Sequence, residues 1–121
     1  MTIPLLICDD SNMARKQVIK SLPDEWEVDI TLATNGVEAI EAIRAGKAEM
    51  VFLDLTMPEM DGYGVLETVK NEGLKSVVIV ISGDIQAAAV DRVKSLGALD
   101  FIKKPINKEK LRETLNKFGL L

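Results

Sequence analysis

Short apolar runs alternate five times with segments of helical periodicity along this chain of 121 residues, and that alternation leaves few folds open. "IPLLIC" (3–8) reads as a buried strand. "VDITLA" (28–33) alternates polar with apolar residues, as a strand nearer a sheet edge does. "MVFL" (50–53) and "VVIVI" (77–81) are apolar throughout, and "DFIK" (100–103) is a short fifth strand. The segments between them follow helical spacing. Ala14, Val18 and Leu22 precede a stop at Pro23, and Ile40 and Ile43 lie within a helix from Gly36 to Ala45. Val65, Leu66 and Val69 mark a third helix ending near Gly73. A fourth is predicted over 84–97, capped by Asp84 and closed by Gly97. Asn107 caps the last, with Leu111, Leu115 and Phe118 on one face. Strands separated by helices must run parallel, with right-handed crossovers and helices on both faces.

The prediction is therefore one α/β domain over residues 1–121. It is a doubly wound, flavodoxin-like parallel sheet of five strands in the order 2-1-3-4-5, with five helices. Composition narrows its setting. The single cysteine, Cys8, has no partner for an internal disulfide and reads as core, which fits a reducing, cytoplasmic location. No apolar run nears the ~20 residues of a membrane span, and the N-terminus has no basic, cleavable leader. A net charge of −4 argues against a nucleic-acid footprint. The absence of histidine excludes a histidine triad, a histidine metal site and a phosphohistidine on this chain.

The polar residues then fall in one place. The first strand ends at Asp9-Asp10, the third at Asp54, the fourth at Ser82 and the fifth at Lys103-Lys104-Pro105. In open α/β sheets the ligand crevice lies beyond the carboxyl ends of the strands, where strand order reverses. Here that point is between strands one and three. Asp9, Asp10 and Asp54 meet there and repel one another, so a cation must hold them. A hard divalent ion suits oxygen ligands. Mg²⁺ takes one or two carboxylates and keeps waters, whereas Ca²⁺ wants more oxygens on a longer loop. Metal, lysine and hydroxyl around one carboxylate suit phosphoryl transfer, with Asp54 attacking phosphorus and Lys104, Ser82 and the metal each taking an equatorial oxygen. Any one of these acids alone is ordinarily a cap or a solvated loop residue. The reading rests on the set.

The stretches "CDDS" (8–11), "DLTMPEMDG" (54–62), "ISGD" (81–84) and "KKP" (103–105) resemble the signature of response-regulator receiver domains of two-component signalling. The resemblance covers essentially the whole chain and is strongest to single-domain, chemotaxis-type regulators, with a phosphorelay role equally open. It implies that Asp54 is the phosphoacceptor, served by a partner histidine kinase or His-phosphotransfer protein or by a small donor such as acetyl phosphate. It implies Mg²⁺ at Asp9, Asp10, Asp54 and the backbone carbonyl of Thr56, with Asp10 the preferred direct ligand of the acidic pair. Ser82 matches the switch hydroxyl, Phe101 the aromatic switch residue, and Lys104 the lysine that pairs with the phosphoryl group. The Lys104–Pro105 bond resembles a cis peptide of the family. Phosphorylation then alters the face of the fourth helix, fifth strand and fifth helix, which binds a target protein. Monomer and weak phosphorylation-dependent dimer both stay open.

Some readings compete. Phe101 also reads as plain core. The basic face of the last helix (Lys108, Lys110, Arg112, Lys117) reads equally as solvated or as a partner surface. Asp84 is either a helix cap or a tuner of acyl-phosphate lifetime. Ser82 stands where threonine is commoner and Gly83 where alanine is, so the site is expected to be open to small donors and water. A Mg²⁺-dependent aspartyl-phosphate phosphatase would place a second aspartate two residues after the first, where this chain has Thr56. A flavodoxin-like binding module needs a glycine-rich phosphate loop after the first strand, where "DDSN" is acidic. A receiver excised from a longer DNA-binding regulator would look the same as this chain.

Overall fold

The structure, a computed structural model, describes residues 2–83 and 86–121. Its elements alternate as β1 (Ile3–Cys8), α1 (Asn12–Ser21), β2 (Val28–Ala33), α2 (Gly36–Arg44), β3 (Met50–Leu53), α3 (Gly62–Glu72), β4 (Val77–Ser82), α4 (Ala87–Ser95), β5 (Asp100–Lys103) and α5 (Lys108–Lys117). The strands form a single parallel sheet in the order β2-β1-β3-β4-β5, which places the reversal between β1 and β3 as the sequence predicts.

Strand side chains alternate between the two faces of the sheet, and each face has its own core. Leu5, Ile7, Phe52, Ile79 and Ile81 point to one side. There they meet Val18 and Leu22 of α1, Leu111 and Leu115 of α5, and Trp26, whose ring lies 6.3 Å from that of Phe52. Leu6, Cys8, Val51, Leu53 and Val80 point to the other side, against Ile40, Ile43, Leu66, Val69 and Val93 of α2, α3 and α4. Central strands buried on both faces need apolar residues at every position, which is why β3 and β4 read as unbroken runs. Truncating Phe52 to alanine would cost about 3–5 kcal/mol.

Helix starts crowd the carboxyl rim of the sheet, and side chains there satisfy the free helix N–H groups. Ser11 accepts from the amide of Ala14 at 3.2 Å and Asn35 from Glu38 at 2.9 Å. Asp61 accepts from Gly64 at 2.9 Å and Asn107 from Lys110 at 2.8 Å. Gly62 lets α3 begin directly against the end of β3: a Cβ there would lie 2.4 Å from the carbonyl oxygen of Asp54. The fourth helix departs from expectation. It starts at Ala87, three residues beyond the predicted start, and the proposed cap Asp84 lies outside the described residues.

Candidate functional site

Sheet hydrogen bonding runs one residue past the strand ends and so fixes the rim residues by their backbones. Asp9 N–H donates to Ala33 at 3.1 Å, Asp54 N–H to Cys8 at 2.9 Å, and Lys104 N–H to Ser82 at 2.9 Å. These anchors bring the sequence-predicted acids together. Asp9, Asp10 and Asp54 each offer a carboxylate oxygen within 4.8 Å of the others. Asp9 and Asp54 are only 4% and 7% exposed, whereas Asp10 faces solvent. Asp9 Oδ1 accepts the Ser11 amide at 2.9 Å, leaving Oδ2 for the Lys104 ammonium at 2.8 Å. The same ammonium lies 3.4 Å from Asp54 Oδ1.

The charges do not balance. Among the described residues, one lysine contacts a cluster of three carboxylates, and even with the Arg15 guanidinium on the Asp9 carbonyl the cluster keeps a net negative charge. Burial raises the Asp54 carboxyl above its ordinary value, and the neighbouring Asp9 charge raises it further; Lys104 opposes both. Burial pulls the Lys104 ammonium down, but its bond to Asp9 and the charge of Asp54 outweigh that and hold it above the usual lysine range. The Cys8 thiol is pushed up to about 12, by burial first and then by Asp9 and Asp54. It is a core residue, inert as a nucleophile. The open charge and the all-oxygen donor set, with no sulfur or imidazole, fit a small hard divalent cation.

Other expected residues fall on the same rim. Ser82 closes β4, buried, two positions beyond Val80, which pairs with Leu53. Thr56 sits in the loop after Asp54, with its residue exposed. Phe101 is half-buried on β5 opposite Val80 and packs against the α2–α3–α4 core. The Lys104–Pro105 peptide is cis. Beside Lys104 an open groove of about 470 Å³ runs between α1 and the β5–α5 turn, lined by Met13, Gln17, Val18, Ile81 and Ile106. The basic face expected on α5 is largely spoken for: Lys108 pairs with Asp24, Arg112 with Glu25 and Lys117 with Asp100.

Three polar residues were not anticipated at the rim. Arg15 Nη1 donates to the Asp9 carbonyl at 2.6 Å, Gln17 Nε2 to the Ile106 carbonyl at 3.1 Å, and Lys110 Nζ to the Pro105 carbonyl at 3.0 Å. The sequence marks them only as polar residues in the first two turns of the helices that follow β1 and β5, and such residues are common on any solvated helix.

A profile of the response regulator receiver domain matches residues 5–116. This chain belongs to that family. The receiver domain is 37% identical over 117 residues to the chemotaxis protein CheY of Listeria monocytogenes, covering 95% of this chain and 97% of that one. It is 40% identical over 104 residues to a protein-glutamate methylesterase/protein-glutamine glutaminase of Geobacter sulfurreducens. That match covers 85% of this chain and only 28% of the longer relative. Among solved structures, the CheX-CheY-BeF3-Mg complex of Borrelia burgdorferi superposes with a TM-score of 0.83 at 31% identity, covering 96% of this receiver domain and 89% of that chain. The NarL signal receiver domain of Mycobacterium tuberculosis gives 0.87 at 26% identity, covering 98% and 96%. The fold and the CheY-like receiver character follow from these matches. Among the described residues, no helix is long and apolar enough to cross a membrane.

Proposed function

We propose that residues 1–121 form one receiver domain working as a phosphoacceptor switch in the cytoplasm. A histidine kinase or His-phosphotransfer protein donates the phosphoryl group and a target protein reads the result. The observation that carries this reading is the meeting of Asp9, Asp10, Asp54 and Lys104 at the strand-order reversal, with uncompensated negative charge around a rigidly held carboxylate. Asp9, Asp10, Asp54 and the Thr56 carbonyl would hold Mg²⁺, which when bound supplies positive charge for the equatorial phosphoryl oxygens. An Asp54 oxygen attacks phosphorus; the new P–O bond forms as the P–N bond of the donor phosphohistidine breaks, and the imidazole leaves with a proton. Lys104 and Ser82 donate to the phosphoryl oxygens. The domain itself has no substrate to turn over beyond its own acyl phosphate.

The added charge of about −1.5 to −2 then favours the arrangement in which Ser82 lies closer to the phosphoryl group. Phe101, half-buried beside Ser82's strand, turns further inward and remodels the α4–β5–α5 face. The match to CheY proteins over 95% of this chain supports a chemotaxis-type regulator acting on protein and not on nucleic acid. The partial match to longer relatives supports a second reading, a receiver module of a larger regulator. Incubation with acetyl phosphate and Mg²⁺, followed by intact mass, should show one base-labile phosphoryl group that is lost in Asp54→Asn. Absence of any adduct, with beryllofluoride tried as a mimic, would refute the proposal.

A further inference from the structure

β5 ends at Lys103, and the chain must turn before α5 begins at Lys108. Lys104 sits on that turn, yet its backbone is tied to the sheet by a bond to Ser82 from its own N–H. The carbonyls around it are held by side chains from two helices. Lys110 of α5 donates to the Pro105 carbonyl at 3.0 Å and to the Lys103 carbonyl at 3.5 Å, on either side of Lys104. Gln17 of α1 takes the Ile106 carbonyl at 3.1 Å from the opposite side. Lys110 is bound at both ends, since its own amide donates to the Asn107 side chain at 2.8 Å. An ammonium with three donors can serve both carbonyls at once, and its charge strengthens each bond.

We infer that Lys110 is a positioning residue: its ammonium clamps the two carbonyls flanking Lys104 and thereby aims the Lys104 ammonium at Asp9 and Asp54. This rests on the phosphoacceptor reading above. The geometry has a direct consequence. Lys104 reaches the acids through a long, flexible stem, so its aim depends on where its backbone is held. The Lys110 contacts are solvent-exposed and add little to global stability, but they restrict the segment that delivers a charge to the rim.

A double-mutant cycle tests the inference. Lys110→Met keeps the stem and removes the ammonium. The limiting rate of phosphorylation by acetyl phosphate is expected to fall about fivefold, with half-saturating Mg²⁺ and the melting midpoint little changed. Lys110→Arg, which keeps a cationic donor, should recover most of the rate. In a Lys104→Met background, adding Lys110→Met should have no further effect. In the metal-free protein, the Lys104 amide resonance should shift in Lys110→Met and return toward its original position in Lys110→Arg. Independent, multiplicative losses in the cycle, or an unmoved Lys104 resonance, would overturn the inference while leaving the phosphoacceptor reading intact. Failure of the parent protein itself to take up phosphoryl would sink both.

Discussion

Two carboxylate–cation arrangements in this molecule have similar parts and opposite behaviour. Midway along α5, Arg112 grips Glu25 through two bonds of 2.8 Å, at the solvent-exposed surface. The grip of Arg112 and a backbone bond bring the Glu25 carboxyl down to about 2. At the sheet rim Lys104 also contacts a carboxylate, Asp54, yet that carboxyl is held above its ordinary value. The distance to the cation is part of the difference, 3.4 Å against 2.8 Å. Burial and crowding are the larger part. Asp54 is largely shielded from water, and Asp9 claims the same ammonium more closely, at 2.8 Å. A solved ion pair stabilises what is already folded. An unsolved one keeps charge available for a ligand.

The contrast breaks most visibly at Lys104. Lys104→Met should lower the limiting rate of phosphorylation from acetyl phosphate by about a hundredfold, because it removes a donor aimed at the developing phosphoryl charge. Arg112→Met should leave that rate within twofold. A timed intact-mass assay checks both variants, and equal losses would erase the distinction.

Asp54→Asn sharpens the same contrast in stability. A carboxyl held above its ordinary value binds a proton more readily folded than unfolded. Its contribution is therefore most favourable at low pH and is lost as pH rises from the normal carboxylate range through the folded value. Metal-free Asp54→Asn should be more stable than the parent at neutral pH, by an amount on the order of 1 kcal/mol, with the gain shrinking below about pH 4. Divalent cation should narrow the gap by stabilising the parent more. Urea unfolding across pH, with and without Mg²⁺, would show this. A variant less stable than the parent at pH 7 would mean that Asp54 is better compensated than its surroundings imply.

Much of this contrast was legible in the sequence, and the limits have a physical source. Apolar runs that end on acids and a lysine announce strand ends, and parallel topology then brings Asp9, Asp54, Ser82 and Lys104 to one rim. Periodicity reads burial one residue at a time, so it found β1 to β5 with boundaries within one residue. It cannot read reach. Gln17, Lys110 and Arg15 look like ordinary polar helix residues, and only the fold shows which carbonyls their stems meet. Nor could it foresee that Asp24 and Glu25, in the turn after α1, would pair with Lys108 and Arg112 on the basic face of α5. The late start of α4, at Ala87, falls in "QAAA", where good helix formers follow one another and propensity marks no first residue.

A smaller effect concerns the open side of the rim. Gly83 is exposed, and a Cβ built on it meets nothing within 4 Å. Gly83→Ala should therefore fold normally while adding a methyl group beside Ser82. The acyl phosphate on Asp54 is expected to last about threefold longer, as attacking water is partly excluded. Its decay after removal of the donor is the measurement. An unchanged lifetime would show that water reaches the site by another side, with the α1 groove beside Lys104 the next to examine.

The smallest effect belongs to the Arg112–Glu25 pair. Glu25 is held below its ordinary value, so its contribution is present at neutral pH and fades as pH falls from about 4.5 toward 2. Both partners are solvent-exposed, and pairs of that kind are largely screened. Glu25→Gln should shift the melting midpoint by no more than about 2 °C at pH 7, by less in high salt, and by least as pH falls below about 2. A large midpoint loss that persists in high salt would mean the pair does more than bridge two surface side chains. Arg112 would then be fastening the turn after α1 to α5, and Glu25 would belong with the structural contacts between those helices.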